Sequence, residues 1–203
     1  MKQFLTLMMA GIITLCSVPD LYAGKTTSMR YHNDWQSFIL SDNGTANSRM
    51  TTHDKNTNVT LSIDFFKNMC GNGIPQLIYN FPGCQKSESP TILYGESRID
   101  EKRTQKIQYS MTTENDFMFI VIAPSDGRRL LREAINGQVL RFKIDLDTGK
   151  SVYFRFSLSG FTAAYSRAQD ICISSSSNYN DDSRYFEKRP PKVVEPIPDA
   201  AYF

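Results

Sequence analysis

The sequence predicts a mainly β (α+β) domain: an antiparallel sheet or sandwich carrying two short helices. Three observations predict it. The first is strict alternation. Val59, Leu61, Ile63 and Phe65 take every second position, as do Leu140, Phe142, Ile144 and Leu146, and then Val152, Phe154, Phe156 and Leu158. A period of two puts one apolar row on one face of a strand. The second is a change of period at Gly160. Beyond it Phe161, Ala164, Tyr165, Ala168, Ile171 and Cys172 recur at spacings of three and four, which makes one stripe on a helix. The third is the turn chemistry between the alternating runs. Asp42-Asn43-Gly44 and Asp147-Thr148-Gly149-Lys150 are both reversal signals.

Taken in order, Gly24 to Asp34 is polar and reads as loose chain. Trp35 to Leu40 is a first strand, with Trp35, Ser37 and Ile39 on one face. A short strand around Ser48 to Thr52 returns from the turn. Trp35, the single tryptophan, is read as a core anchor on size, with a surface platform for a ligand as the alternative. Asn58 to Phe66 is the next strand, Leu77 to Phe81 a short apolar one, and Thr91 to Tyr94 another. Arg98 to Lys106 (RIDEKRTQK) is charged, and Ile107, Tyr109 and Met111 resume the alternation. Phe117 to Ile122, FMFIVI, is apolar on both faces. Periodicity leaves it either a central strand or part of the packing of the helix that follows.

Pro124 stops that run, and Asp126 is placed to cap a short helix. Leu130, Leu131, Ala134 and Ile135 form its inner side, Gly137 follows its end, and Arg128, Arg129 and Arg132 take its outer side. Leu140 to Leu146 and Val152 to Leu158 then make a β-hairpin, whose solvent face carries Arg141, Lys143, Asp145, Tyr153 and Arg155. Ser159 can accept a bond from the first free amides of the last helix. Gly160 allows the change of direction and a close start against the sheet, with a ligand-facing turn as the alternative.

The chain begins with Lys2, an apolar run from Phe4 to Val18, and Pro19 before Ala23. That is the pattern of a secretory signal peptide over residues 1–23, bacterial in type. Leu15, before Cys16, is larger than a lipidation signal wants. Residues 24–172 are then a β-rich periplasmic or secreted domain, not membrane-spanning, and 173–203 a Ser/Pro-rich tail. Pro190, Pro191, Pro196 and Pro198 keep that tail out of a sheet, although Tyr202 sits where an assembled pilin carries its penultimate aromatic. The formal net charge is +2, with no block of like charge, so nothing argues for a nucleic-acid partner.

Three cysteines follow the signal: Cys70, Cys84 and Cys172. An exported odd count implies one bridge and one free thiol, or an intermolecular bond. Cys70-Gly-Asn-Gly and Pro82-Gly83-Cys84 both carry turn chemistry, which favours a local Cys70–Cys84 bridge. A bond from Cys172 to one of the two, tying the last helix to the sheet, is the alternative.

Catalytic patterns are scarce. His32 and His53 are the only histidines, and no cysteine pair has zinc spacing. There is no G-x-S-x-G elbow and no glycine-rich phosphate loop. Asp100 with Glu101 or Asp64 could furnish a glycosidase pair only if their separation were right. The expectation is therefore a protein that is not an enzyme, with no cofactor and no metal. The constellation that stands out is basic: Arg141, Lys143 and Arg155, with the arginines of the first helix. Arginine suits carboxylates and phosphates; the bland alternative is a solvated face of mixed charge.

Two resemblances attach to these residues. Phe156-Ser157-Leu158-Ser159-Gly160-Phe161-Thr162-Ala163-Ala164 resembles the closing motif of the invasion-associated locus B family, exported β-rich bacterial proteins linked to host-cell invasion and virulence. The layout of Trp35, Arg98-Ile99-Asp100, Ser110, Leu130-Leu131 and an alanine-bearing helix ending at Cys172 is similar to periplasmic accessory proteins of type VI secretion. Both imply a binding role without a catalytic motif. The expected partner is a protein, in secretion, envelope assembly or host interaction. The alternatives are an inhibitor or immunity protein against a periplasmic hydrolase, and a glycan-acting envelope hydrolase.

Overall fold

A computed structural model describes residues 24–42, 45–84, 86–114, 116–146 and 149–177. The expected signal peptide, residues 43–44 and 147–148 of the two turns, and residues 178–203 of the expected tail lie outside them. The fold is mainly β, as the alternation predicts. Ten strands form one antiparallel sheet: β1 Lys25–His32, β2 Trp35–Asp42, β3 Thr45–Asp54, β4 Val59–Phe65, β5 Ile74–Asn80, β6 Thr91–Ile99, β7 Gln105–Glu114, β8 Phe117–Ile122, β9 Val139–Asp145 and β10 Ser151–Ser157. The helices are α1, Pro124–Ala134, and α2, Phe161–Ser177. Strand order is β1-β2-β3-β4-β5-β8-β7-β6-β9-β10.

The register carries one apolar row across the sheet. Met50 faces Ile63, Leu61 faces Leu77, Leu77 faces Ile120, and Met111 faces Ile120. On the far side Ile99 faces Leu140, and Leu140 faces Phe156. All of these are buried in one cluster. The sheet folds over to enclose it. Phe154 of β10 brings its ring 6.3 Å from Tyr79 of β5, and the Arg155 amide donates to Asp54 Oδ2 at the end of β3. FMFIVI is a strand: Met118, Ile120 and Ile122 enter the core while Phe117, Phe119 and Val121 are half-buried.

Trp35 is a core anchor. It is 1% exposed, its Nε1 donates to the Ser157 carbonyl, and its ring meets Phe161 edge-on at 5.0 Å. Gly160 is a packing glycine: φ is +86°, and a Cβ there would run into the His32 carbonyl of the β1–β2 turn. Helix α2 lies over β2, β3 and β4 through Phe161, Ala164, Ala168 and Cys172. Its Arg167 donates to Ser37 and to the Ser28 carbonyl, at the bulge of β1.

Several expectations need correction. Residues 25–32 are a strand, not loose chain. They show no alternation because β1 is an exposed edge strand. Strand β6 continues through Ile99 into the charged stretch. Asp126 does not cap α1. The helix starts at Pro124, and the Asp126 carboxylate instead accepts the Gln108 amide and the Arg129 guanidinium. Ser159 Oγ accepts from Asn33 rather than from α2. Ile135 is exposed, and α2 runs on past Cys172 to Ser177. The disulfide is Cys70–Cys172, not Cys70–Cys84, and Cys84 is the free thiol. The reason is β5, which separates Cys70 from Cys84. A strand of seven residues is roughly 20 Å long, far beyond a disulfide's span. Cys70 and Cys172 have Cα atoms 5.5 Å apart.

Candidate functional site: a basic face on the outer sheet

Antiparallel pairing decides which side chains of the hairpin share a surface. In β9–β10, Arg155 stands opposite Arg141 and Tyr153 opposite Lys143. The crossover that places β6 beside β9 then puts Arg98 opposite Arg141, and Glu96 opposite Lys143. Three arginines, Arg155, Arg141 and Arg98, therefore form a single row across three neighbouring strands. Adjacent strands are about 4.8 Å apart, so the row is roughly 10 Å long. The second row is mixed, since Glu96 also faces Lys106.

Direct like-charge pairing across strands is unfavourable, and the local anions offset it only in part. Glu101 Oε2 takes Arg98 Nη2 at 2.5 Å, and Asp145 lies 3.6 Å from Lys143 Nζ. Arg141 Nη1 donates to the Asp100 carbonyl at 3.1 Å. Arg155 is exposed, and its guanidinium has no hydrogen-bond or ion-pair partner among the described residues. Arg98 Nε is buried without a hydrogen-bond partner. The row thus offers planar donors, suited to carboxylates or phosphates, in excess of the acceptors around it.

The frame beneath the row is held by two carboxylates. Asp100, at the β6–β7 turn, accepts the Gln138 and Val139 amides at 3.0 and 2.8 Å and fixes the start of β9. Asp54 fixes β10 through the Arg155 amide at 3.1 Å, and also takes the Asn56 amide and the Thr57 hydroxyl. Burial alone would raise the Asp54 pKa. The amides of Arg155 and Asn56, the Thr57 hydroxyl and nearby His53 outweigh it and hold the pKa below the ordinary value.

Arg141, Lys143 and Arg155 lie on neighbouring positions of the β9–β10 hairpin, and Arg98 stands beside Arg141. It does not gather the α1 arginines with them as a group. Arg129 reaches the Lys106 carbonyl and lines a groove with Glu96, Arg103 and Lys106 beside the mixed row. Arg128 and Arg132 line a separate cleft. Arg98 was not predicted because its place depends on the β6–β9 pairing, which joins strands far apart in sequence. The proposed carboxylate pairs are engaged otherwise. Asp64 is bound by Arg49 and Gln76 inside the sheet face, Asp100 by two amides, and Glu101 by Arg98. Among the described residues no cluster of three or more His, Cys, Asp or Glu side chains could hold a metal ion, and no helix is long and apolar enough to cross a membrane. No protein-family model, curated protein or solved structure matches the chain.

Proposed function

We propose that this is an exported, non-enzymatic binding domain of the bacterial envelope that docks an acidic surface of a protein partner on the row Arg155–Arg141–Arg98. The observation that carries the reading is that register: three like charges held opposite one another on one face, with too few acids to match them. A partner that supplies carboxylates would relieve the repulsion and be recognised through bidentate contacts. A disulfide spanning 102 residues is compatible with an oxidising compartment. The resemblance to exported invasion-associated and secretion-accessory proteins points to the same class, with a role in secretion, envelope assembly or host interaction.

The test is capture from the native envelope with immobilised residues 24–203. Wild type and the R141Q/K143Q/R155Q variant are compared at low and at about 1 M salt, where charge attraction is screened to about 3 Å. A partner held by wild type, released by salt and lost by the variant is the expected outcome. Identical capture by both proteins would sink the proposal.

A further inference from the structure

The α1 arginines that the basic face leaves out line a second depression. Arg128 and Arg132 lie one helical turn apart and flank a cleft of about 230 Å³, with segment 71–73 on its other side. Its apolar lining is Leu131, Ile135 and the ring of Tyr165. Leu131 is buried, and the Tyr165 ring is wedged against Phe65 at 5.2 Å and Phe161 at 5.8 Å. Neither guanidinium has a hydrogen bond or ion pair among the described residues, although like charges at this spacing disfavour the helix. The Tyr165 hydroxyl also has no partner among them. Burial raises its pKa, so it stays a proton donor across the neutral range. Both walls are tied together close by. Cys70 directly precedes Gly71, and Cys172, two turns along α2 from Tyr165, is bonded to it.

We infer that this cleft binds a carboxylate carried on an apolar body, as at the C-terminal residue of a polypeptide or in a free monocarboxylic acid. The two guanidiniums and the Tyr165 hydroxyl take the carboxylate, and Leu131, Ile135 and the Tyr165 ring take the apolar group. The volume is below that of a drug-sized pocket and suits one large side chain. Positive charge beside an apolar floor selects this class over a bare anion, which would gain nothing from the floor, and over a neutral apolar group, which would leave the charges unmatched. The inference is independent of the basic face.

The probes are N-acetyl-phenylalanine and its C-terminal amide, titrated against residues 24–203 and followed by amide chemical shifts. The acid should bind saturably, with shifts confined to segment 71–73, α1 and the Tyr165 turn, and the amide at least tenfold more weakly. R128Q/R132Q, a change on a helix surface, should weaken the acid by tenfold or more. Y165F should weaken it a few-fold, and R141Q/K143Q/R155Q should leave it unchanged. Gly-Gly-Phe and 3-phenylpropanoate separate the sources. A tighter peptide assigns a chain end and equal affinities assign a free acid, and both uphold the shared chemistry. Equal affinity for acid and amide, no loss in R128Q/R132Q, or no saturable binding of the acid would overturn the inference.

Discussion

At the scale of residues, a few polar side chains hold what the apolar row alone would not. Asp54 is one, because it joins the end of β3 to the backbone of β10. Asp54→Ala is expected to cost about 2 kcal/mol in urea unfolding, since a charged acceptor is lost and amides are left unpaired. Asp54→Asn, which keeps one acceptor oxygen, should cost less. The lowered pKa of Asp54 means its contribution is fully present above the unfolded carboxyl value. It is lost as pH falls through the folded one. Wild type should therefore lose stability on acidification in that window, and Asp54→Ala should show a flatter profile there. Tyr109 works at the other end of the scale. Burial and the nearby Asp145 charge push its pKa up to about 12, and its hydroxyl donates to the Asp145 carbonyl. The stabilisation it provides is complete below the unfolded value near 10 and declines as pH rises towards 12. Tyr109→Phe should lower stability by about 1 kcal/mol at neutral pH and remove part of the alkaline transition, as followed by circular dichroism.

At the scale of elements, the alternating strands and both helices were legible because one buried face leaves a period in the sequence. Strand β4, the β9–β10 hairpin and the helix after Gly160 all carried that signature. The edge strand β1 did not: among the described residues Thr26, Met29 and Tyr31 are all exposed, so no alternation marks it. The bridge was misread for a related reason. The turn chemistry at Cys70 and Cys84 is local, whereas the distance between them is set by β5, which proved longer than its apolar portion. The candidate site was half legible. Arg141, Lys143 and Arg155 share a face by parity along a hairpin, but Arg98 joins them only through pairing across the sheet. The disulfide makes its own prediction. It closes a loop of about a hundred residues, for which chain entropy gives about 4–5 kcal/mol. C70S/C172S should lose much of that in urea unfolding. C84S should stay within about 0.5 kcal/mol of wild type, because no bridge depends on it.

At the scale of the whole molecule, one folded-over sheet encloses the core, and the arginine row and the two depressions already described lie on the surface of the described residues. The core explains why the chain folds. It does not explain why three arginines stand in register on the outside, where Thr or Gln would pair without repulsion. On the proposed function the row is kept for binding at a cost to stability, as functional surfaces often are. Arg155 is the member to change, since its guanidinium has no partner among the described residues and its amide, not its side chain, bonds to Asp54. The direct measurement is the thermal midpoint of Arg155→Thr against wild type at low salt, beside its retention of the partner proposed to dock on the row. The expected midpoint is equal to or higher than that of wild type, by up to about 1 kcal/mol of stability, together with weakened partner retention. A clear fall in the midpoint with retention unchanged would overturn the proposed binding role and make the arginine row part of the scaffold.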